Sequence, residues 1–320
     1  MSDVDSPIWA VTCLFNPAGF RVRNDNYRQF RDRLPLPLLT VELGFDGQFS
    51  LGEWDADRLI RIDQGARLWQ KERLLNIGIA SLPASCREVV WIDADILVDG
   101  RDWVERVRAA LENHAVVQGF SRVNHLGPSG RQVERSNPAL AAVLSADHAT
   151  RGRTSPAGIL TSTLQRTHEC PCCGHVWGAR REILQTVGLY DGCIVGGGDT
   201  AWVGGIFGVP AEVVEAHRMG VRQAERYRGW AERAYEAVRG DVGYVDAEVE
   251  HLWHGSMEGR RPRERHAELS RHGFDPYRDV ESTEQGTWRW ASDRPELQEF
   301  VRGYFESRSE DDVEVEAAVH

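Results

Sequence analysis

The feature that most constrains the fold is an alternation of short apolar runs with segments that place apolar residues at helical spacing. Three runs have the composition of buried strands: Ile8 to Phe15, Leu38 to Leu43 and Glu88 to Val98. The segments Gln64 to Ala80 and Trp103 to Asn113 have the helical pattern. Because parallel strands are joined by crossover helices, this order predicts an α/β fold with a Rossmann-type, mainly parallel sheet and helices on both faces.

Composition and charge exclude several classes of function. The net charge of −11 argues against a surface that binds nucleic acid in general, because such a surface needs a basic footprint. No run approaches eighteen apolar residues, and the start has no basic segment leading into an apolar core, so we expect neither a membrane span nor secretion. Four of the six cysteines lie in one short region, which favours a reducing cytoplasm over a disulfide framework.

Composition along the chain predicts a single domain over residues 1–306. Three parts follow one another: a first half over about 1–123, a mobile insertion rich in Gly, Ser, Thr and Arg over about 124–169, and a second half over about 170–306. In the second half we predict a long amphipathic helix from Val214 to Arg239 and a last strand from Val242 to Trp253. Residues 307–320 are acidic enough to predict a disordered tail.

Two aspartates, Asp93 and Asp95, interrupt the third apolar run. Alternation along a strand sends both carboxylates to one side, where they offer hard oxygen ligands to Mg²⁺ or Mn²⁺ and leave positions for phosphate oxygens. In open sheets of this kind ligands bind beyond the carboxyl ends of the strands, where this pair falls. The alternative is a pair of solvated carboxylates at a strand end.

Lys71 is the only lysine in the chain, and arginine supplies the other basic residues. One explanation of the single lysine is a compositional bias toward arginine that has left one lysine by chance. The other is a site where a compact ammonium works and a planar guanidinium does not, because the two side chains are not interchangeable.

The segments Trp69 to Gly78 and Val89 to Asp95 together resemble the GT-A glycosyltransferases. In the large inverting family of that fold, a helix with a basic residue and an Asn-x-Gly step precedes a strand that ends in Asp-x-Asp. The resemblance is loose over the whole chain and specific over 8–23, 38–46, 68–103, 176–202 and 250–265. It implies a GT-A-like fold and a metal-dependent, hexosyltransferase-like enzyme. Such an enzyme moves a sugar, with inversion, from a nucleotide-diphosphate sugar, expected to be a UDP-sugar, to an acceptor that the sequence does not identify.

By the same resemblance, the first half binds the donor, and the second half binds the acceptor and closes the metal site. The implied donor-binding residues are Thr12, Asn16, Arg23, Glu42, Lys71, Asn76, Asp93, Arg260 and Arg265. Thr12 to Asn16, Arg23 and Glu42 would form the nucleoside pocket, although such enzymes usually place an Asp at the position of Glu42. Lys71 would approach the diphosphate, Asn76 would fix its helix, and Arg260 and Arg265 would close over the phosphates. Each residue has a packing or surface role as its alternative.

The implied metal ligands are Asp93, Asp95 and His254. Asp93 would contact the ribose or the metal, and Asp95 the metal. His251 to Gly255 resembles a Trp-His-Gly segment that supplies a late metal ligand in several GT-A families. On a strand the two histidines would face opposite ways, and we choose His254, whose imidazole favours Mn²⁺ over Mg²⁺. The alternative is a histidine that serves only packing or the surface.

Asp199 directly follows the three glycines Gly196 to Gly198, which let the backbone approach a ligand closely. This segment resembles the part of inverting enzymes that holds the acceptor-side base, so Asp199 is the implied catalytic base. The alternative is that Asp199 is the N-cap of the next helix.

A cluster of metal-binding residue types, His168, Cys170, Cys172, Cys173 and His175, suggests structural zinc. However, it lacks paired Cys-x-x-Cys knuckles.

Two other functions stay open. A haloacid-dehalogenase-like phosphatase also places two aspartates after an apolar strand, but that class usually has a downstream lysine. A non-catalytic module that binds nucleotide sugars would keep the fold without turnover.

Overall fold

The computed structural model of the chain describes residues 6–149, 158, 170–256, 258–262 and 264–312. Its strands are β1 Ile8–Phe15, β2 Leu38–Leu43, β3 Arg58–Ile62, β4 Glu88–Ile92, β5 Ile96–Leu97, β6 Val116–Gln118, β7 Arg122–Leu126, β8 Val133–Pro138, β9 Val176–Arg180, β10 Val242–Tyr244, β11 Glu248–His251, β12 Val280–Ser282 and β13 Trp288–Trp290. Its helices are α1 Arg21–Arg33, α2 Lys71–Ala80, α3 Asp102–Asn113, α4 Leu140–Ala149, α5 Arg181–Val187, α6 Gly198–Ile206, α7 Pro210–Ala216, α8 Val221–Val238, α9 Glu264–Arg271 and α10 Pro295–Glu306.

A seven-stranded sheet in the order β10-β6-β9-β4-β1-β2-β3 forms the centre of the fold. The pairs β1 with β2, β1 with β4, β2 with β3 and β6 with β10 are parallel, whereas β9 runs antiparallel to both of its neighbours. The predicted α/β class with a mainly parallel sheet is therefore confirmed.

Residues of β1 alternate between two hydrophobic cores, one on each face of this sheet. Trp9 and Val11 pack into the core that contains Leu75 of α2. Ala10 packs into the other core, with Phe30 of α1. Because successive side chains of a strand point to opposite faces, an unbroken apolar run such as β1 requires helices on both sides, as the sequence predicted.

A second sheet, in the order β5-β11-β7-β8, lies next to the end of β4. Strand β11 pairs antiparallel with β5 and parallel with β7. This register places His251 opposite Ile96 on one side and opposite His125 on the other. Since Ile96 follows Asp95 directly, the small sheet brings two histidines to the aspartate pair.

Several predicted elements are divided in the structure. The third apolar run ends as a strand at Ile92, and a turn that holds Asp93 and Asp95 separates it from β5, with Ile96 N–H donating to the Asp93 carbonyl at 3.2 Å. The predicted long helix is two helices, α7 and α8, and the predicted last strand is β10 and β11, which belong to different sheets. Helix α2 begins at Lys71 rather than near Gln64. None of the described helices is long and apolar enough to cross a membrane.

The described part of the predicted insertion, residues 124–149, contains the end of β7, all of β8 and α4. Residues 150–157 and 159–169 lie outside the described residues, so the predicted mobility stays a prediction.

The beginning of the predicted disordered tail is packed instead. Arg308 is 3% exposed and Glu310 is fully buried. The Asp311 carboxylate accepts the backbone N–H groups of Arg21 and Val22, both at 2.9 Å, at the start of α1. Free N–H groups at a helix N-terminus favour such a carboxylate, so the acidic composition that predicted disorder here supplies partners for the fold. Residues 313–320 lie outside the described residues.

Helix α2 approaches the sheet most closely at Gly78. A Cβ atom there would lie 2.6 Å from Val11 Cγ1 and 3.1 Å from Leu39 Cδ2, too close for either contact to relax freely. The Asn-x-Gly step in the sequence is therefore explained by packing at its glycine. Gly229 of α8 is a matched helical glycine, because nothing would lie within 4 Å of a Cβ atom there.

We expect Gly78→Ala to lower the free energy of unfolding by about 1–3 kcal/mol through overpacking. Gly229→Ala should leave it unchanged or raise it by up to about 1 kcal/mol, because alanine favours helix. Urea denaturation followed by circular dichroism measures both values. Equal effects of the two substitutions would show that α2 can move away from the sheet at little cost.

Candidate active site

A cleft lies at the carboxyl ends of β1 and β4, where the fold gathers side chains from distant parts of the sequence. Nine of the predicted site residues line it: Thr12, Arg23, Lys71, Asp93, Asp95, Asp199, His254, Arg260 and Arg265. Thr12 joins the two strands, since its hydroxyl donates to the carbonyl of Ile92 at 2.7 Å. The parallel pairing of β1 with β4 therefore sets the floor of the cleft.

Lys71 lies between two carboxylates. Its Nζ is 2.6 Å from Asp93 Oδ1, and 3.0 and 3.2 Å from the two oxygens of Asp199. Burial lowers the pKa of Lys71, but Asp199 and Asp93 outweigh burial and raise it well above its usual range. The only lysine of the chain is thus a cation that is 11% exposed and shared by two anions, and not a solvated residue on a helix surface.

Asp95, His251 and His254 converge on one point. Asp95 Oδ2 is 3.1 Å from His254 Nε2 and 3.9 Å from His251 Nε2, and the two Nε2 atoms are 3.2 Å apart. Ligands held about 2.1 Å from one octahedral ion lie about 3 Å from each other. Asp95 Oδ1 is buried and has no hydrogen-bond partner among the described residues. These atoms fit a divalent cation, and two imidazoles beside one carboxylate suit Mn²⁺ or a similar ion better than Ca²⁺.

The protonation states of Asp95 and His251 are those of metal ligands, which must be deprotonated. Burial raises the pKa of Asp95, but the charge and hydrogen bond of His254 outweigh it and lower the pKa to about 2. Burial, followed by the neighbouring His175 and His254, lowers the pKa of His251 well below its usual value. At neutral pH the set therefore offers an ionised carboxylate and a neutral imidazole.

The sequence did not lead us to His251. Strand alternation pointed His251 and His254 to opposite sides, but β11 ends at His251 and the chain turns before His254. The His-x-x-His spacing was the available signal. Asp93, predicted as a ligand of the metal or the ribose, lies outside this set: its Oδ1 contacts Lys71, and its Oδ2 is 3.6 Å from His175 Nδ1.

Glu310 lies behind His254. Its Oε1 is 3.6 Å from His254 Nδ1, and Arg23 and Arg308 hold the same carboxylate at 2.5 to 2.8 Å. Burial raises the pKa of Glu310, but Arg23 outweighs it and lowers the pKa far below the usual range. A carboxylate next to Nδ1 holds the ring so that Nε2 faces Asp95, as carboxylates behind metal-binding imidazoles do. Neither Glu310 nor Arg308 was predicted, because both fall in the acidic tail.

Four arginines line the cleft around this group. Arg260 Nη2 is 3.0 Å from His254 Nε2, Arg265 donates to the Tyr304 hydroxyl at 2.5 Å, and Arg308 donates to the same hydroxyl at 3.2 Å. Burial raises the pKa of Tyr304, but Arg265 and Arg308 outweigh burial and lower it. With Arg23, these side chains form a positive wall that suits phosphate groups.

Asp199 is the second residue of α6. The N-cap of that helix is Gly197, whose φ of 101° is in the left-handed region, and no side chain caps the helix. The cap alternative for Asp199 is therefore not realised, and its carboxylate pairs with Lys71. Gly198 is also required, because a Cβ atom there would lie 2.0 Å from Oε1 of the buried Glu72. Burial, opposed by Lys71, raises the pKa of Glu72 to about 8.

Three predicted donor-binding residues do not line the cleft, and the side chain of each bonds to backbone groups elsewhere. Asn16 closes a turn with both its side-chain atoms bonded to the backbone of Phe20. Glu42 accepts the N–H groups of Ser50 and Leu51. Asn76 exchanges two hydrogen bonds of 2.8 Å with the backbone of Leu189.

The suggested zinc cluster is not formed by its described members. His175 lines the cleft beside Asp93, and the group Asp95, His251 and His254 is the one set among the described residues whose ligand atoms converge as a metal requires. None of the six cysteines, all of which lie among the described residues, forms a disulfide. His168 lies outside the described residues.

No family model matches the chain, and no curated protein matches it significantly. Solved structures do match. Glucosyl-3-phosphoglycerate synthase from Mycobacterium tuberculosis, in complex with Mg²⁺ and UDP, is 14% identical with a TM-score of 0.37, over 86% of this chain and 83% of that one. S. aureus TarS, in complex with UDP-GlcNAc, is 8% identical with a TM-score of 0.40, over 78% of this chain and 60% of that one.

The geometry predicts that His251 contributes to metal binding as His254 does. His251→Ala should weaken Mn²⁺ binding more than about 100-fold, since even partners outside the ligand set commonly contribute 10–100-fold. Electron paramagnetic resonance of free Mn²⁺ measures the affinity. His114→Ala is the control, because His114 is half-exposed and pairs with Asp241 away from the cleft. Mn²⁺ binding by the His251 variant at the level of the control would exclude this ligand set.

Proposed function

We propose that the protein is a metal-dependent glycosyltransferase of the GT-A type that moves a sugar from a nucleotide-diphosphate sugar, expected to be a UDP-sugar, to an acceptor. One observation carries the proposal: Asp95, His251 and His254 converge in a cleft that also contains an arginine wall and Lys71. A cation and several fixed positive groups at the carboxyl ends of parallel strands form a site for a diphosphate.

The donor would lie along this cleft. A divalent cation held by Asp95, His251 and His254 would neutralise the charge of the departing diphosphate. Arg260 and Arg265 would hold phosphate oxygens, since a guanidinium donates two parallel hydrogen bonds. The turn after β1, with Thr12 and Arg23, would hold the nucleoside. Recognition of the base would then depend on this turn rather than on Glu42.

Asp199 would act as the catalytic base. Its side chain is 35% exposed and reaches the cleft. It would accept the proton of the acceptor hydroxyl while the oxygen attacks the anomeric carbon from the side opposite the diphosphate, which inverts that centre. When Asp199 becomes neutral, Lys71 keeps Asp93 as its anionic partner at 2.6 Å. The buried ammonium is therefore never left uncompensated during the transfer.

A phosphatase of the haloacid-dehalogenase type fits less well. Lys71 contacts Asp93 directly, so its upstream position in the sequence does not count against that class. However, the second aspartate of such an enzyme must donate a proton, and the pKa of Asp95 is lowered to about 2. A non-catalytic nucleotide-sugar-binding module would share the donor site and lack turnover.

We expect UDP to raise the melting temperature more in Mn²⁺ than in EDTA, because a ligand that binds only the folded state stabilises it by mass action. In Asp95→Asn the difference between Mn²⁺ and EDTA should disappear, because the metal loses its anionic ligand. Differential scanning fluorimetry with both proteins measures the shifts. Equal shifts of the unaltered protein in Mn²⁺ and EDTA would contradict metal-dependent donor binding.

Asp199→Asn should lower turnover by on the order of a hundredfold or more and leave UDP affinity nearly unchanged, because a general base acts mainly in the transition state. UDP release from a panel of UDP-sugars gives the rate, and calorimetry gives the affinity. Asp102→Asn is the matched control, since Asp102 also lies in the first turn of a helix but is 65% exposed and away from the cleft.

Loss of UDP affinity in step with rate would make Asp199 a donor ligand instead of the base. Proton NMR of the product gives its anomeric configuration, and retention of the donor's configuration would rule out the single displacement.

A further inference from the structure

A second, smaller cavity of about 120 Å³ adjoins the cleft. His251 and Arg260 line both spaces and so form their common wall. The remaining polar residues of the cavity come from β7, β8 and the segment after His254: His125, Glu134, Arg135 and Ser256. Glu134 and Ser256 are exposed, so the cavity opens to solvent. It is large enough for a group of a few heavy atoms.

Two guanidinium groups of this cavity have unused donors. Arg135 Nε and Arg260 Nε are both buried and have no hydrogen-bond partner among the described residues. Neither arginine forms an ion pair with a described carboxylate. A buried charged donor without a partner costs about 1–3 kcal/mol or more, so two of them on residues that line one small cavity favour a ligand there.

The other walls contribute few charged groups. His125 places an imidazole ring in the lining. Glu134 is the one carboxylate in the lining, and its side chain lies against Gly127, where a Cβ atom would be 2.4 Å from Oε1. The cavity therefore combines two guanidinium groups, one carboxylate, an imidazole ring and the Ser256 hydroxyl, a set with more positive than negative groups that suits an oxyanion.

We propose that this cavity binds a phosphate group of the acceptor. A phosphate offers several acceptor oxygens to two guanidinium groups at once, and a guanidinium matches it in a bidentate way. Water could satisfy the same N–H groups but would bring no negative charge to the two guanidinium groups. The assignment of this phosphate to the acceptor rests on the proposed function, in which the donor phosphates occupy the cleft on the other side of the common wall. The anion site itself does not rest on the proposed function.

Inorganic phosphate is the probe, titrated by calorimetry at constant ionic strength against chloride, in EDTA and without nucleotide. We expect saturable binding by the unaltered protein and at least about tenfold weaker binding by Arg135→Gln, since a hydrogen bond to a charged group contributes that much. Arg135→Lys should give an intermediate affinity, because lysine keeps the positive charge but lacks the planar pair of N–H donors of a guanidinium. Glu134→Gln should bind as tightly or more tightly, because a nearby negative charge is removed.

Arg122→Gln is the matched control, because Arg122 lies on the adjacent strand β7, is exposed and bonds to Ser136. It should bind phosphate as the unaltered protein does, and thermal unfolding checks that every variant is folded. Absence of saturable binding would overturn the proposal and assign the cavity to water. Equal binding by the Arg135→Gln variant would also overturn it and assign the phosphate to the cleft. Arg135-dependent phosphate binding in a protein that does not bind UDP would keep the anion site and remove its assignment to a sugar acceptor.

Discussion

The site depends on the two ion pairs of the Lys71 ammonium group. Asp93 reaches it from the end of β4, and Asp199 reaches it from the start of α6. Because one cation lies within 3.2 Å of both carboxylates, it holds the end of β4 and the start of α6 together. Since α2 begins at Lys71 and packs on the sheet at Gly78, the position of this charge is set by core packing and not by a flexible side chain alone.

Sequence patterns were sufficient to predict those features of the fold and the site that neighbouring residues determine. The alternation of runs gives the sheet, the Asp-Ala-Asp step marks the end of β4, and a single lysine among arginines points to Lys71. His251 was missed because its role depends on where β11 ends, which the pairing with β5 and β7 decides. Glu310 was missed because its acidic surroundings are typical of disorder, whereas the fold supplies Arg23 and Arg308 as its partners. Glu42 likewise bonds to a loop whose path the sequence does not encode locally.

The local charge of the cleft is opposite to that of the whole chain. The net charge is −11, yet in this one space Lys71 and four arginines outnumber three aspartates. Bulk charge argues against a general nucleic-acid surface, because such a surface must be broad. A small anionic ligand responds to the few groups within a Debye length of about 10 Å, so an acidic protein can still attract phosphate compounds to one place.

The bond between Arg23 and Glu310 joins residues 287 positions apart. We expect a contact of such long range to form late in folding, because loop closure has a high entropic cost until most of the intervening chain is compact. The same Glu310 carboxylate lies 3.6 Å from His254 Nδ1, so His254 would gain this partner at the same late stage. An incompletely folded chain could thus present Asp95 and two histidines in loose arrangement and trap metal ions unselectively. Selective metal uptake would then belong to the finished fold, and loading the ion after folding, rather than during synthesis, would give the more uniform protein.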